Sequence, residues 1–156
     1  MSQVIPMESK VLQSVSPRLS KLEGGAKARY QQLQSELSEL ESRYENNLLD
    51  STQDWQYLTE DEDELAGLPS YAIAMLRQLA EQKELTGFRV TLDMPCYLAV
   101  ITYADNRLLR QAIYEAYVTR ASDRGITDIK WDNAPIMQEI VAKRQEKAVL
   151  LGYENY

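Results

Sequence analysis

Tyr30, Leu33, Leu37, Leu40, Tyr44 and Leu48 recur every three or four residues, with Gln, Glu, Ser and Arg in the gaps. At 3.6 residues per turn these positions share one face, so the spacing predicts a long amphipathic helix from Ala26, apolar on one side and wet on the other. Such a stripe needs cover. Its near-heptad spacing also fits a coiled-coil dimer, but it runs for fewer than three heptads and puts two tyrosines in the seam, which favours packing inside its own domain.

Shorter patterns surround it. Val11, Leu12, Val15, Leu19 and Leu22 give residues 8–22 a helical stripe interrupted by Pro17, where the missing N–H forces a kink or break. Gly24-Gly25 then reads as a turn or joint. WQYL (Trp55 to Leu58) has the look of a short strand, and an acidic run, Glu60 to Glu64, follows it. A helix starts at Leu68-Pro69-Ser70 with Ile73, Leu76, Leu79 and Ala80 on its stripe, and runs out near Lys83 to Gly87. In GFRVTLDM, residues Phe88, Val90, Leu92 and Met94 alternate with Arg89, Thr91 and Asp93, a period of two that predicts a strand over 88–94. The two strands form a ribbon only if helices lie against it.

Pro95 suits the first turn of a helix over CYLAVITYA. Asp105 or Asn106 is then the N-cap of a helix with Leu108, Leu109, Ala112, Ile113, Ala116 and Tyr117 on its apolar stripe. After a polar connection, Asp132 or Asn133 caps the last helix, Pro135 sits in its first turn, Ile136, Ile140, Val141, Ala148 and Leu151 face inward, and Gly152 stops it. The predicted fold is mainly α: about six helices packed as an irregular bundle with a small two-stranded β ribbon. Residues 1–25 form an N-terminal helical segment joined through Gly24-Gly25, and residues 26–156 form one helical domain.

A chain of 156 residues with 44% apolar and 26% charged side chains is the size and composition of one globular domain. Its net charge of −7 and lack of a Lys/Arg cluster argue against nucleic acid, whose binding draws on basic groups that displace counterions. Apolar runs such as Leu98 to Ile101 are far short of the roughly 20 residues that span a bilayer, so no membrane partner is expected. The single cysteine, Cys96, and an N-terminus without a basic-then-apolar leader point to the cytoplasm.

The absence of histidine removes the commonest general base and the common zinc ligand. Glycines at phosphate-cradling spacing are lacking too. Cys96, near a helix start, could have a lowered thiol pKa, but without a base a buried structural side chain is the simpler account. The acidic run lacks the separated ligands and turn glycine of a calcium loop and reads as solvated surface. A carboxylate-only enzyme would need two acidic side chains close together in a cleft. Tyr97, Tyr103, Tyr114 and Tyr117 either line a groove or fill the core edge-on. Arg120 either holds a peptide terminus or makes a structural ion pair. On this basis no catalytic, cofactor-binding or metal-binding residue is assigned.

Four longer strings are more specific. YENNLLDST (Tyr44 to Thr52), DEDELAGLP (Asp61 to Pro69), GFRVTLDMPCYLAVITYADNRLLRQAIYEAYVTRASDRG (Gly87 to Gly125) and KWDNAPIMQEIVAKRQEKAVLLGYENY (Lys130 to Tyr156) together resemble, in order and at compatible spacing, the thimet oligopeptidase family of zinc metallopeptidases. The resemblance covers about residues 26–156. It implies a nearly all-helical cytoplasmic peptidase that cleaves short peptides in a channel between two helical halves. In that family zinc sits on an H-E-x-x-H helix whose glutamate is the general base, and no position of this chain matches that motif. The chain then corresponds to the N-terminal, non-catalytic half: a channel wall, inactive alone, with zinc implied only for the full-length family. Residues 1–25 depart from the pattern, because the family has a longer stretch before the long helix than Gly24-Gly25 provides. Apolar surface bared by the missing half would favour self-association. The alternative is a free-standing helical module that binds peptides or a partner without catalysis.

Overall fold

The structure, a computed structural model, describes residues 18–156. Most of the helix expected over residues 8–22 therefore lies outside the described residues. In chain order the elements are helix α1 (Gly24–Asp54), strand β1 (Gln56–Thr59), a 3-10 turn (Glu62–Leu65), α2 (Ser70–Glu81), β2 (Phe88–Thr91), α3 (Met94–Tyr103), α4 (Arg107–Val118), a second 3-10 turn (Ile129–Trp131) and α5 (Ala134–Leu150). The described residues are mainly α with a two-stranded antiparallel ribbon. They fall into two compact units, one holding residues 18–43 together with Pro135–Tyr156, the other Tyr44–Ala134.

In the first unit, Tyr30, Leu33, Leu37 and Leu40 of α1 are buried, as are Ile136, Ile140 and Ala148 of α5 and Leu151 just beyond it. The polar edges of the two helices are cross-linked. Arg29 reaches Glu146 at 2.6 Å, Lys143 reaches Glu36 at 2.8 Å and Arg144 reaches Glu41 at 2.9 Å. Residue numbers rise on α1 as they broadly fall on α5, so the helices run antiparallel. These pairs are partly to largely solvent-exposed, where each contributes about 0–1 kcal/mol, so the buried leucines and isoleucines dominate stability. The last helix ends at Gly152 as expected: its N–H donates to Val149 O and that of Tyr153 to Ala148 O. This pair of hydrogen bonds requires the left-handed φ of +77° at Gly152.

The second unit is built on the ribbon. β1 and β2 pair with Gln56 opposite Thr91, Tyr57 opposite Val90, Leu58 opposite Arg89 and Thr59 opposite Phe88. Helices α2 and α3 pack on β2, and α4 packs on α3. Leu65, Leu76, Phe88, Val90, Leu92, Val100, Leu109 and Ile113 form their common core.

Several expectations need correcting. Gly24-Gly25 is the start of α1, and that helix continues through LLDSTQD to Asp54. β1 is displaced by one residue from 55–58, and β2 ends at Thr91 because Met94 already belongs to α3, leaving it half-exposed. Thr91, expected outside, is buried, with its backbone N–H on Cys96 Sγ and its hydroxyl on Asp93. Leu108 and Val141, expected inside, are 76% and 67% exposed. Each belongs to a helix whose true apolar stripe is narrower than the run of apolar letters. Asn106 is the cap of α4, accepting from Leu108 and Leu109 N–H. At α5 the N–H of Ala134 goes to Asp132 Oδ1, while Asn133 serves elsewhere.

That other task ties the 119–133 connection to α1. Asn133 is buried, donates to Tyr44 O and accepts from Asn47. Ser51, fully buried, accepts from the N–H of Ala121 at 2.9 Å and shares a hydrogen bond with Thr127. Tyr44, Asn47 and Ser51 stand at helical spacing on one face. α1 thus meets the connection at its two buried points, Ala121 and Asn133, and satisfies the Ala121 N–H there.

Candidate functional site

Helix α4 carries two faces. Leu109, Ile113 and Ala116 are buried, whereas Arg107, Arg110, Gln111 and Tyr114 follow i, i+3, i+4, i+7 and form a stripe that spans about 10 Å at 1.5 Å per residue. With Ile101 of α3 this stripe lines a shallow, open groove of about 520 Å3. Among the described residues neither guanidinium has a carboxylate partner. Among these residues the Arg107 side chain makes no hydrogen bond or ion pair, and the Arg110 side chain donates only to the backbone carbonyls of Ala104 and Asp105. Those two bonds hold Arg110 over the end of α3. Gln111 donates to Glu115 Oε1 at 2.8 Å. The carboxyl carbon of Asp105 lies against Gly67. The groove therefore offers two positive charges together with an isoleucine and a phenol.

The residues singled out from sequence are dispersed. Tyr97 and Tyr117 stack with ring centres 4.0 Å apart and pack against the core. Tyr103 and Tyr114 are half-exposed, and only Tyr114 belongs to the groove. The four tyrosines do not form one face. Arg120 makes no ion pair among the described residues. Its guanidinium lies 3.6 Å over the Tyr117 ring and donates to Tyr117 O and Thr52 Oγ1, a packing role. In the acidic run, Glu64 accepts from the Tyr57 hydroxyl at 2.7 Å. That bond lowers the carboxyl pKa and raises the phenol's.

Cys96 is 1% exposed. Burial pushes its thiol pKa up, outweighing the lowering from the Thr91 N–H at 3.3 Å; a helix start lowers a thiol pKa only when the thiolate keeps some solvation. Folded protein at pH 8 is expected to leave a chromogenic disulfide reagent unreacted for minutes, and urea should release one equivalent of thiol. Immediate reaction of the folded protein would contradict the burial.

A metal site needs convergent donors. The chain has no imidazole, its one thiol is buried, and no three of its Asp, Glu and Cys side chains come together among the described residues. These residues do not fit zinc. General-acid chemistry needs a carboxyl raised by burial, and the resolved shifts at Glu36, Glu64, Asp128 and Glu146 are all downward, led by hydrogen bonds from Lys143, Tyr57, Lys130 and Arg29 respectively. No helix among the described residues is long and apolar enough to cross a membrane.

Arg107 and Arg110 were not singled out from sequence. Their signal was a polar i, i+3, i+4, i+7 stripe opposite the apolar one, which by itself looks like any solvated helix face.

Comparison with known proteins bears on the whole chain. The sequence profile described as "Peptidase family M3" matches residues 100–156, which include all five groove residues. Oligopeptidase A of Escherichia coli (strain K12) is 53% identical over 128 residues, covering 82% of this chain and 19% of the relative. Oligopeptidase A of Salmonella typhimurium gives the same figures. The probable cytosolic oligopeptidase A of Arabidopsis thaliana is 34% identical over 157 residues, covering 96% of this chain and 22% of the relative. The chain thus spans about a fifth of the length of the curated relatives it matches. Half of all positions identical over most of the chain is the level of common descent with a common fold, and on that ground this chain belongs to the oligopeptidase A branch of peptidase family M3.

Proposed function

We propose that these 156 residues contribute a non-catalytic wall to a cytoplasmic, oligopeptidase A-like zinc peptidase acting on short peptides, and that they do not turn over peptide by themselves. The observation that carries this reading is the donor set: a chain related to peptidases, yet without histidine and without three convergent metal-binding side chains among the described residues. What such a chain offers instead is packed helices, an ordered ribbon and a shallow groove. Purified protein incubated with zinc and a quenched fluorogenic peptide is expected to show no hydrolysis above a protein-free control. Zinc-dependent cleavage abolished by a chelator would overturn the reading.

A second reading, an interaction module that pairs through its own apolar surface, is favoured by the exposure of Met137 and Val141, one helical turn apart on α5, since neighbouring exposed apolar side chains promote association. Light scattering on the same sample tests the module: a strict monomer at high concentration would remove it.

A further inference from the structure

We infer that the α4 groove is a binding site for the C-terminal residue of a short peptide, with the α-carboxylate held by Arg107 and Arg110 and the side chain laid against Ile101 and Tyr114. The argument begins with charge. Among the described arginines Arg29, Arg77 and Arg144 make ion pairs, whereas Arg107 and Arg110 stand one helical turn apart and line the same groove. Neither has a carboxylate partner among the described residues. Arg110 spends its hydrogen bonds on the carbonyls of Ala104 and Asp105, which fixes the guanidinium in place without neutralising it. The neighbouring acids do not fill the role. The carboxyl carbon of Asp105 lies against Gly67, and Glu115 is occupied by Gln111.

The order of groups along α4 selects the ligand. An α-carboxylate carries its residue's side chain on the next carbon, so its site needs cationic and apolar groups within a few ångströms of each other. Here Arg107 and Arg110 are followed by Gln111 and Tyr114 on one helical stripe, with Ile101 completing the wall. The Gln111 amide oxygen, not used in the bond to Glu115, is an acceptor for the N–H of the terminal residue. Glu115, one turn beyond Gln111, would repel a carboxylate from the Tyr114 end, which sets the peptide's direction. An acidic side chain is a poorer match, because flexible methylenes separate its charge from any apolar neighbour. The groove is open and the charges are solvated, so affinity is weak, with a dissociation constant on the order of 1 mM. Added salt should weaken it, since the Debye length falls to about 10 Å at 0.1 M.

The inference rests on the groove's own geometry; the peptidase reading only makes short peptides the natural source of such a ligand. The test is a titration of the intact chain, followed by amide and Ile101 methyl chemical shifts, with acetyl-alanyl-phenylalanine, its C-terminal amide and the amide of acetyl-glutamyl-alanine. The free acid is expected to shift residues 107–114 and Ile101 and to bind at least about fivefold more tightly than either amide. Arg107→Gln, an exposed change that leaves the fold intact, should reduce its affinity about fivefold. Equal binding of free acid and neutral amide, an undiminished affinity in R107Q, or no groove shifts at about 10 mM peptide would each overturn the site. Equal binding of the glutamyl amide would overturn the α-carboxylate assignment. Because the readout is binding, failure here leaves the scaffold reading untouched, and hydrolysis of fluorogenic peptide would sink that reading without touching this one.

Discussion

Truncating Ile113 to alanine is expected to lower the unfolding free energy of the Tyr44–Ala134 unit by about 2–5 kcal/mol. The side chain is fully buried and sits in a cluster assembled from the ribbon, α2, α3 and α4. Losing three carbons forfeits roughly 0.8 kcal/mol each in transfer free energy. The rest is a cavity term, because side chains anchored on four separate elements cannot all move in to fill the space. Trp55 packs against this same cluster, and Trp131 lies in the same unit, so urea unfolding followed by tryptophan fluorescence reports on it directly. Leu108→Ala is the internal comparison: same helix, same apolar class, but 76% exposed, and therefore expected to change stability by no more than about 0.5 kcal/mol. If the two variants lost similar amounts, the two-faced description of α4, and the groove that depends on it, would be wrong.

Gly67→Ala should destabilise by about 2–5 kcal/mol, far beyond the usual effect of one methyl group. Gly67 has φ +88°, and a Cβ there would stand 2.3 Å from the Tyr103 carbonyl oxygen and 2.8 Å from the Asp105 carboxyl carbon. Two costs add. The left-handed backbone strains any residue with a side chain, and the nearest obstacle is main chain, which moves only by displacing the α3–α4 connection. That connection is already fixed by the Asp105 N–H on Ala66 O at 2.8 Å. Moving it also disturbs the carbonyls of Ala104 and Asp105 that hold Arg110, so loss of groove binding should accompany the loss of stability. Gly25→Ala, where nothing lies within 4 Å and alanine favours helix, is expected to be neutral or slightly stabilising. A Gly67→Ala protein with wild-type stability would show that this turn adjusts freely.

The helices were legible because their signals are local and repeated. Tyr30, Leu33, Leu37 and Leu40 predicted their own burial by spacing alone, and the glycine stop and the asparagine cap of α4 followed from backbone geometry that only a few residues satisfy. The ribbon was legible as a pair of short strands, and its antiparallel register emerged only when α2 and α3 covered it. Misplaced residues cluster at edges. Met94 continued the alternation of β2 on paper, but the chain had already turned into α3; Leu108 and Val141 lay at the margin of their stripes, where one step around the helix separates core from water.

The groove was hardly legible. Arg107, Arg110, Gln111 and Tyr114 are ordinary letters for a wet helix face, and no periodicity says that a guanidinium will find no carboxylate. Cys96 shows the same limit from the other side. Its position near a helix start argued for a lowered pKa and its residue type for burial, and only the packing around it settled the competition.

By itself the sequence determined the helical class of this protein, the extent of most helices, the exclusion of histidine chemistry and, through long family-like strings, its peptidase lineage. Each of these depends on composition or on neighbours within a few turns. Only the tertiary structure decided that Ser51 and Asn133 are buried bridges, that Arg120 stacks on Tyr117, and that Arg107 and Arg110 line one groove with no carboxylate partner among the described residues. Those outcomes depend on which groups from distant parts of the chain arrive at the same place, since polar side chains draw their role from the partners they meet and carry no intrinsic preference that spacing could reveal.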